Sequence, residues 1–415
     1  MYKEINAAVM GCGTVGRGVC EILCEKEALL ARRSDTGRVA LKKVLDIRDL
    51  SETPFAPYWV TDVSEIVNDP DINVVVEAMG GVRPAFGFCM QCLEAGKNVV
   101  TSNKQLVAEK GEALFEAARR NNVSFRFGAA VCGGIPALRT MVYGLSANSV
   151  TRISGILNGT TNLILTKMLE ENMSFAGALK LAQDNGFAEA DPTDDIEGYD
   201  ACRKISILAS LAFGKHVYPE EVETEGITKI TLEDAAYAAA CGTKIKLLGK
   251  AALLEDGSIY AAVSPVFIKK ETMLAGVSGV FNAVEYTGDK VGEILLYGRG
   301  AGKDATASAV VADILDCARK PGFDTAYSWG SAEGKKMADP GEMRQRLYVR
   351  GYAEHPGAAV SAIRESFGGV QLLRRENAPE NEIAFLTPEG KEKELRDQLR
   401  EIRGFAAASV IRAEP

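Results

Sequence analysis

Histidine and tryptophan are nearly absent from these 415 residues, with two of each: His216 and His355, Trp59 and Trp329. A histidine-rich metal centre is thereby excluded. The one C-x-x-C, Cys89 and Cys92, lacks the second pair that a structural zinc site needs. The nine cysteines, an odd number scattered from Cys12 to Cys317, suggest reduced thiols and not a disulfide framework. Positive charge is not in excess. Lys plus Arg is 48 against 56 for Asp plus Glu, a net charge of −8, which argues against coating nucleic acid or an anionic membrane. Long apolar runs are missing too. A run such as 235–241 falls far short of the ~18 residues that span a bilayer, and residues 1–4 do not begin a signal peptide. A cytoplasmic protein is expected. Hydrophobic residues at 47% and charged residues at 25% are ordinary globular usage. Glycine, in contrast, is plentiful at 41 of 415, and glycine goes where backbone must approach something closely.

A length of 415 residues implies two or three domains at ~150 residues each. The first stretch alternates strand and helix. Strands are expected at 5–10, 38–47, 73–76, 98–101 and 123–127, with helices from 14 to about 32, over 84–95 and over 110–120. That alternation implies βαβ units and a parallel sheet. From about Gly134 helical and strand-like runs mix, so the sheet there should be mixed, and 306–318 reads as a helix. Residues 327–344 read as a polar linker. Residues 345–415 then give the order βαββαβ, a complete small module.

Gly11-Cys-Gly13-Thr14-Val15-Gly16 follows a strand and opens a helix. Gly11 permits the turn, Gly13 lets main chain meet a pyrophosphate, and Gly16 allows close helix–strand packing. The helix start then faces the phosphates. This is a Rossmann-type dinucleotide site, unless the turn is merely glycine-rich. The second strand ends at Asp46-Ile-Arg48. An acid there suits a ribose hydroxyl and an arginine suits a 2′-phosphate, so the residues alone leave NAD and NADP both open. Gly80 and the Ser102-Asn-Lys104 segment follow other strand ends, where ligands meet an open α/β sheet.

Residues 189–204 carry six acids in sixteen positions, where composition predicts about two. Asp200 and Lys204 are four apart and share a helix face. A lysine held beside carboxylates can act as a general acid or base, and the carboxylates can hold a substrate ammonium. The bland alternative is an acid-rich helix start favoured by the macrodipole. Leu157-Asn158-Gly159-Thr160-Thr-Asn162 sets amide and hydroxyl groups around a glycine after a strand, either contacting ligand or capping a helix.

Taken together, these motifs resemble the homoserine dehydrogenases over most of the chain. The motifs that carry the resemblance are G-x-G-T-V-G at 11–16, Ser-Asn-Lys at 102–104, Gly-Gly-Ile-Pro at 133–136 and Leu-Asn-Gly-Thr-Thr-Asn at 157–162. Gly-Phe-Ala-Glu-Ala-Asp-Pro-Thr-x-Asp with Gly-x-Asp-Ala-x-x-Lys at 186–204 adds the strongest of them, and Gly226-Ile-Thr228 and Thr306-Ala-Ser-Ala-Val310 also fit. The final module looks like an ACT domain.

The resemblance implies reversible reduction of L-aspartate 4-semialdehyde to L-homoserine by a nicotinamide cofactor. By carry-over, Lys204 is the leading proton donor and Lys104 a second. Glu189, Asp195 and Asp200 hold the substrate ammonium, and Asn158, Gly159 and Thr160 line the site. Gly11, Gly13, Thr14, Val15, Gly16, Arg48, Gly80, Ser102 and Lys104 serve the cofactor, with Arg48 favouring NADP. The main-chain carbonyls of Gly128, Val131, Gly133 and Ile135 match a monovalent-cation site for an ion such as Na+. Expected domains are 1–133 completed by about 302–325 (dinucleotide), 134–301 (substrate and dimerisation) and 345–415 (ACT-like, open to an amino-acid effector), in a homodimer or homotetramer. The chain departs from the family pattern at Gly128, where glutamate is usual, and over 298–305, where Arg299 and Lys303 are new. Those two cations either meet phosphate or pair with Asp304. A catalytically inactive dinucleotide- and amino-acid-binding sensor is the alternative. Such a protein is expected to lose Lys104, Asp200 or Lys204, and all three are present. Aspartate-semialdehyde dehydrogenase would need a cysteine paired with a histidine, and Cys132 has no evident partner.

Overall fold

The apolar residues near the start form strand β1 (Glu4–Met10), buried from Ile5 onward. The computed structural model describes residues 4–34, 38–331 and 334–414. The chain divides into two units, Met1–Thr151 with Ser206–Pro219 and Tyr286–Lys335, and Arg152–Ile205 with Glu220–Glu285 and Lys336–Pro415.

In the first unit β1 joins β2 (Arg38–Leu45), β3 (Trp59–Val60), β4 (Val74–Glu77), β5 (Asn98–Thr101) and β6 (Phe125–Arg126). All pairings are parallel, in the order β3-β2-β1-β4-β5-β6. Strands covered on both faces need side chains that are apolar in both directions, and Val74–Val76 supply them. The strand order reverses between β1 and β4, so their carboxyl ends flank the crevice where such sheets take ligands. Helix Lys303–Arg319 returns to pack on helix Thr14–Glu25. A Cβ on Gly18 would lie 3.0 Å from that of Ala307, so glycine sets the approach.

Three elements differ from the sequence reading. Helix Lys104–Arg120 starts six residues before the expected 110, because the Asn103 side chain caps it by accepting from the Leu106 amide. The short strand β3 was not foreseen. The expected linker contains Trp329, which is buried and packs edge-on against Phe115 at 4.7 Å and His216 at 5.5 Å. Its indole makes that part of 327–344 core; residues 332–333 lie outside the described residues.

The second unit is built on a hairpin, Thr243–Leu253 antiparallel to Ile259–Lys269. The free edge of Ile259–Lys269 takes two strands end to end and in parallel, Glu223–Thr224 and then Ala406–Ala413. Beyond Ala406–Ala413 the sheet continues with Arg344–Tyr352, Glu382–Leu386 and Gln371–Leu373, all antiparallel. Parallel and antiparallel pairs together make this sheet mixed. Helices Pro356–Phe367 and Glu392–Glu401 bury Ile363, Phe367, Leu395 and Leu399 against Leu347, Val349 and Phe385. Lys336–Pro415 falls in one unit with Arg152–Ile205, and its strand Ala406–Ala413 pairs with the Ile259–Lys269 edge. On the opposite face, buried Arg350 and Tyr348 meet buried Asp234 at 2.8 and 3.0 Å.

Candidate active site

In the first unit the glycine loop has the geometry a dinucleotide needs. Gly11 sits at φ +92°, where a side chain is strained. A Cβ on Gly16 would fall 1.8 Å from the Gly11 carbonyl oxygen, so only glycine lets the helix start this close to β1. Open space lies beside Gly13. Helix Thr14–Glu25 has no side-chain cap and no acid in its first turn, which leaves its amide groups and dipole directed at an incoming anion.

Asp46 is committed within the protein. Its carboxylate accepts from the Cys12 amide at 2.6 Å and from the Arg48 amide, Nε and Nη2 at 2.9, 2.9 and 2.6 Å. The Arg48 guanidinium is the chief cause that holds this carboxyl at about 2. Arg48 itself is exposed, its side chain 59% accessible. Asp46 therefore ties the glycine loop to an arginine that faces solvent.

Glu77, which the motif reading missed, closes β4. It is buried and accepts from the Met79 and Gly80 amides at 2.8 and 3.3 Å and from the Thr101 hydroxyl at 2.5 Å. Burial raises its pKa. It thus links the left-handed turn at Gly80 and Gly81 to the end of β5. Ser102 and Lys104 follow directly, both half-buried, with Lys104 the first residue of its helix.

The loop 128–135 turns through consecutive left-handed residues, Cys132 at φ +56° and Gly133 at +44°. The Gly128 amide donates to buried Asp313 at 2.7 Å, and a Cβ at 128 would come within 2.9 Å of that carboxylate. Burial pushes the Asp313 carboxyl up to about 7. In the atypical 298–305 loop, Lys303 pairs with Glu21 of helix Thr14–Glu25, not with Asp304. Arg299 is exposed, and its carbonyl accepts from the Gly134 amide at 3.2 Å.

The second unit gathers the acidic motif. Asn158 ends the turn before helix Gly159–Glu171 and caps it, its Oδ1 accepting from the Thr161 amide at 2.8 Å. Its Nδ2 then bridges two carboxylates, Asp195 at 2.6 Å and Asp200 at 2.8 Å. Lys204, one turn after Asp200 on helix Tyr199–Phe213, donates to Asp200 Oδ2 at 2.6 Å and to the Leu157 carbonyl at 2.7 Å. Asp200 and Lys204 are 5% and 8% exposed, so this is a buried pair and not the solvated one of the bland reading. Asp195 is half-buried, and burial is the main cause that raises its carboxyl. Two carboxylates face one ammonium, a surplus of negative charge suited to a cationic ligand group. Thr160 donates to the Phe187 carbonyl at 2.7 Å and fixes the loop that follows. Gly159 cannot carry a Cβ, which would sit 2.6 Å from the Val280 carbonyl oxygen. Glu189 is exposed on the 186–192 loop, its carbonyl tied to Gln183.

Beneath Asn158, Lys246 is 1% exposed and was also missed by the motif reading. It donates to Asn162 Oδ1 at 3.0 Å and to the Val277 carbonyl at 2.5 Å. Asn162 Nδ2 in turn donates to the carbonyls of Val277, Gly279 and Phe281 at 3.0–3.2 Å. Burial draws the Lys246 ammonium down to about 8.

Two family models match the chain, one described as homoserine dehydrogenase over residues 136–315 and one as the homoserine dehydrogenase NAD-binding domain over 11–128. A homoserine dehydrogenase of Neisseria gonorrhoeae is 43% identical over 420 residues, covering 97% of this chain and 96% of its own. The solved homoserine dehydrogenase of Thiobacillus denitrificans superposes with a TM-score of 0.89 at 35% identity, covering 99% of this chain and 98% of that one. A hyperthermophilic archaeal homoserine dehydrogenase in complex with NADPH gives 0.65 at 28% identity, over 77% of this chain and all of its own.

Proposed function

The chain belongs to the homoserine dehydrogenase family, and we propose that Lys204, held on Asp200, donates the proton when the aldehyde is reduced. The activity is the reversible NAD(P)H-dependent reduction of L-aspartate 4-semialdehyde to L-homoserine. When bound, the nicotinamide supplies the hydride that the aldehyde carbon accepts. The oxygen then needs a proton, and the buried Lys204 ammonium carries one. Asp200 orients that lysine, and Asn158 fixes Asp200 from the other side. Asp195 and Asp200 hold the substrate ammonium against their surplus charge, with Thr160 and Gly159 shaping the turn. Glu189 joins them from its exposed loop, and Lys104 is the second candidate proton group. The observation that carries this reading is the single oxygen Asp200 Oδ2, which takes both the Lys204 ammonium and the Asn158 amide.

We infer that the cofactor is NADP(H). Asp46 is already taken by Arg48 and is not left to hold a ribose hydroxyl, whereas the Arg48 side chain, although Nε and Nη2 pair with Asp46, stays exposed and is the cation a 2′-phosphate would meet. Gly11, Gly13, Thr14, Val15 and Gly16 would take the pyrophosphate, and Gly80 and Ser102 the nicotinamide end. The NADPH complex of the archaeal relative supports this choice. The carbonyls of Gly128, Val131, Gly133 and Ile135 would hold a monovalent cation such as Na+. The βαββαβ module is read as an ACT-like effector domain of a cytoplasmic homodimer or homotetramer; none of the described helices is long and apolar enough to cross a membrane. Initial rates with NADPH against NADH, with and without threonine, test these assignments. A strong NADH preference overturns the role of Arg48, and rates indifferent to threonine remove threonine as the effector.

A further inference from the structure

Glu223–Thr224 and Ala406–Ala413 lie end to end along one edge of strand Ile259–Lys269, pairing at Ala262–Val263 and at Val266–Phe267. One side chain crosses the seam between them. Arg412 is 4% exposed, donates through Nε to Glu392 at 2.9 Å and pairs through Nη2 with Glu223. Glu223 is 45% exposed at its side chain, so the pair has one buried member and one accessible member.

The segment that begins at Glu223 goes on to touch the acidic cluster at successive points. The Thr224 methyl lies 3.2 Å from where a Cβ on Gly198 would sit, and the Thr224 hydroxyl meets the Cys202 thiol. Gly226 is wedged so tightly that a Cβ would fall 2.2 Å from the Ile196 carbonyl oxygen. The Ile227 amide donates to that same oxygen at 2.8 Å. Residues 196–199 connect Asp195 to Asp200, and Cys202 lies between Asp200 and Lys204 on helix Tyr199–Phe213. The 223–227 segment therefore packs against the stretch that joins the two carboxylate-bearing residues and against the helix turn between Asp200 and Lys204.

We propose that Arg412 is a positioning residue for the two substrate-binding carboxylates of the protein: by clasping Glu223 it presses the 223–227 segment against residues 196–202 and sets Asp195 and Asp200 around Asn158. The proposal rests on the reading of Asp195 and Asp200 as the ammonium site. It makes the last strand of the chain part of the catalytic framework, whatever effector the module takes. Close packing at Gly226 and Gly198 leaves little slack, so a shift at Glu223 is passed on and not absorbed.

The test compares Arg412→Ala, Arg412→Lys, Glu223→Gln and the double variant Arg412→Ala/Glu223→Gln in the full chain, with circular dichroism to confirm folding. Glu223→Gln changes an accessible group and keeps the measurement possible if Arg412→Ala does not fold. Each single variant is expected to raise KM for the semialdehyde roughly tenfold, within the range of coupled neighbours, with KM for NADPH unchanged and kcat altered less than about threefold. The double variant should be no worse than the worse single one, and Arg412→Lys should recover part of the loss. Folded variants with unchanged KM, with both KM values raised alike, or with additive effects overturn the proposal. Asp195→Asn is measured alongside. If it leaves KM for the semialdehyde unchanged, the ammonium-site reading fails on its own, independently of Arg412.

Discussion

Replacing Lys204 by alanine separates the chemical role of this lysine from its structural one. The ammonium lies 2.6 Å from Asp200 Oδ2 and is 8% exposed, so its loss acts in two ways. Removing a general acid typically costs 10²- to 10⁴-fold in rate, or about 3–5 kcal/mol of barrier at 1.36 kcal/mol per tenfold. Removing one partner of a buried pair also costs about 3–5 kcal/mol of stability, because Asp200 is left charged beside Asp195. The expected result is kcat down by about two to four orders of magnitude with NADPH affinity intact, and a lower Tm. NADPH oxidation followed by absorbance, NADPH binding followed by fluorescence and thermal unfolding read the three quantities apart. A folded variant that binds NADPH and turns over within about tenfold of the parent refutes the proton-donor assignment, since the low end of general-acid effects is about a hundredfold. A fall in Tm without a fall in kcat assigns the lysine to structure alone.

Two further outcomes follow from the same geometry. Arg48→Ala should raise KM for NADPH roughly tenfold to a hundredfold, as loss of a charged hydrogen bond implies, and leave KM for NADH within about twofold; equal effects on both cofactors contradict the phosphate assignment. Lys246, drawn down to about 8 by burial, binds its proton less well in the folded chain than in the unfolded one. Its burial therefore weakens the fold most at low pH, and stability is regained as pH rises from about 8 toward 10.5, by at most about 3 kcal/mol. Thermal unfolding of the parent should gain on that of Lys246→Met across this window; parallel curves contradict it.

Much of this arrangement was legible in the residues. Glycines at 11 and 16 imposed a loop that no other residue fits, and an i,i+4 spacing put Asp200 against Lys204 on one face. What escaped was whatever has no local signature. Glu77 follows three valines and reads as a strand end; only the fold brings Thr101 and the Gly80 turn to its carboxylate. Lys246 belongs to no motif; only the fold brings Asn162 of helix Gly159–Glu171 and the Val277 carbonyl to its ammonium. Asp46 and Arg48 left the cofactor undecided because their two letters do not show that one is bound to the other. Trp329 was hidden by the polar residues around it, although one indole buried on Phe115 outweighs several exposed neighbours.

The most direct test of the central claim is to follow the hydride. NADPH carrying deuterium at both hydrogens of nicotinamide C4, incubated with L-aspartate 4-semialdehyde and the protein, should give L-homoserine with one deuterium at C4, detected by mass spectrometry, and Lys204→Ala should slow its formation at least a hundredfold. Homoserine without deuterium, or no homoserine at all, contradicts the account.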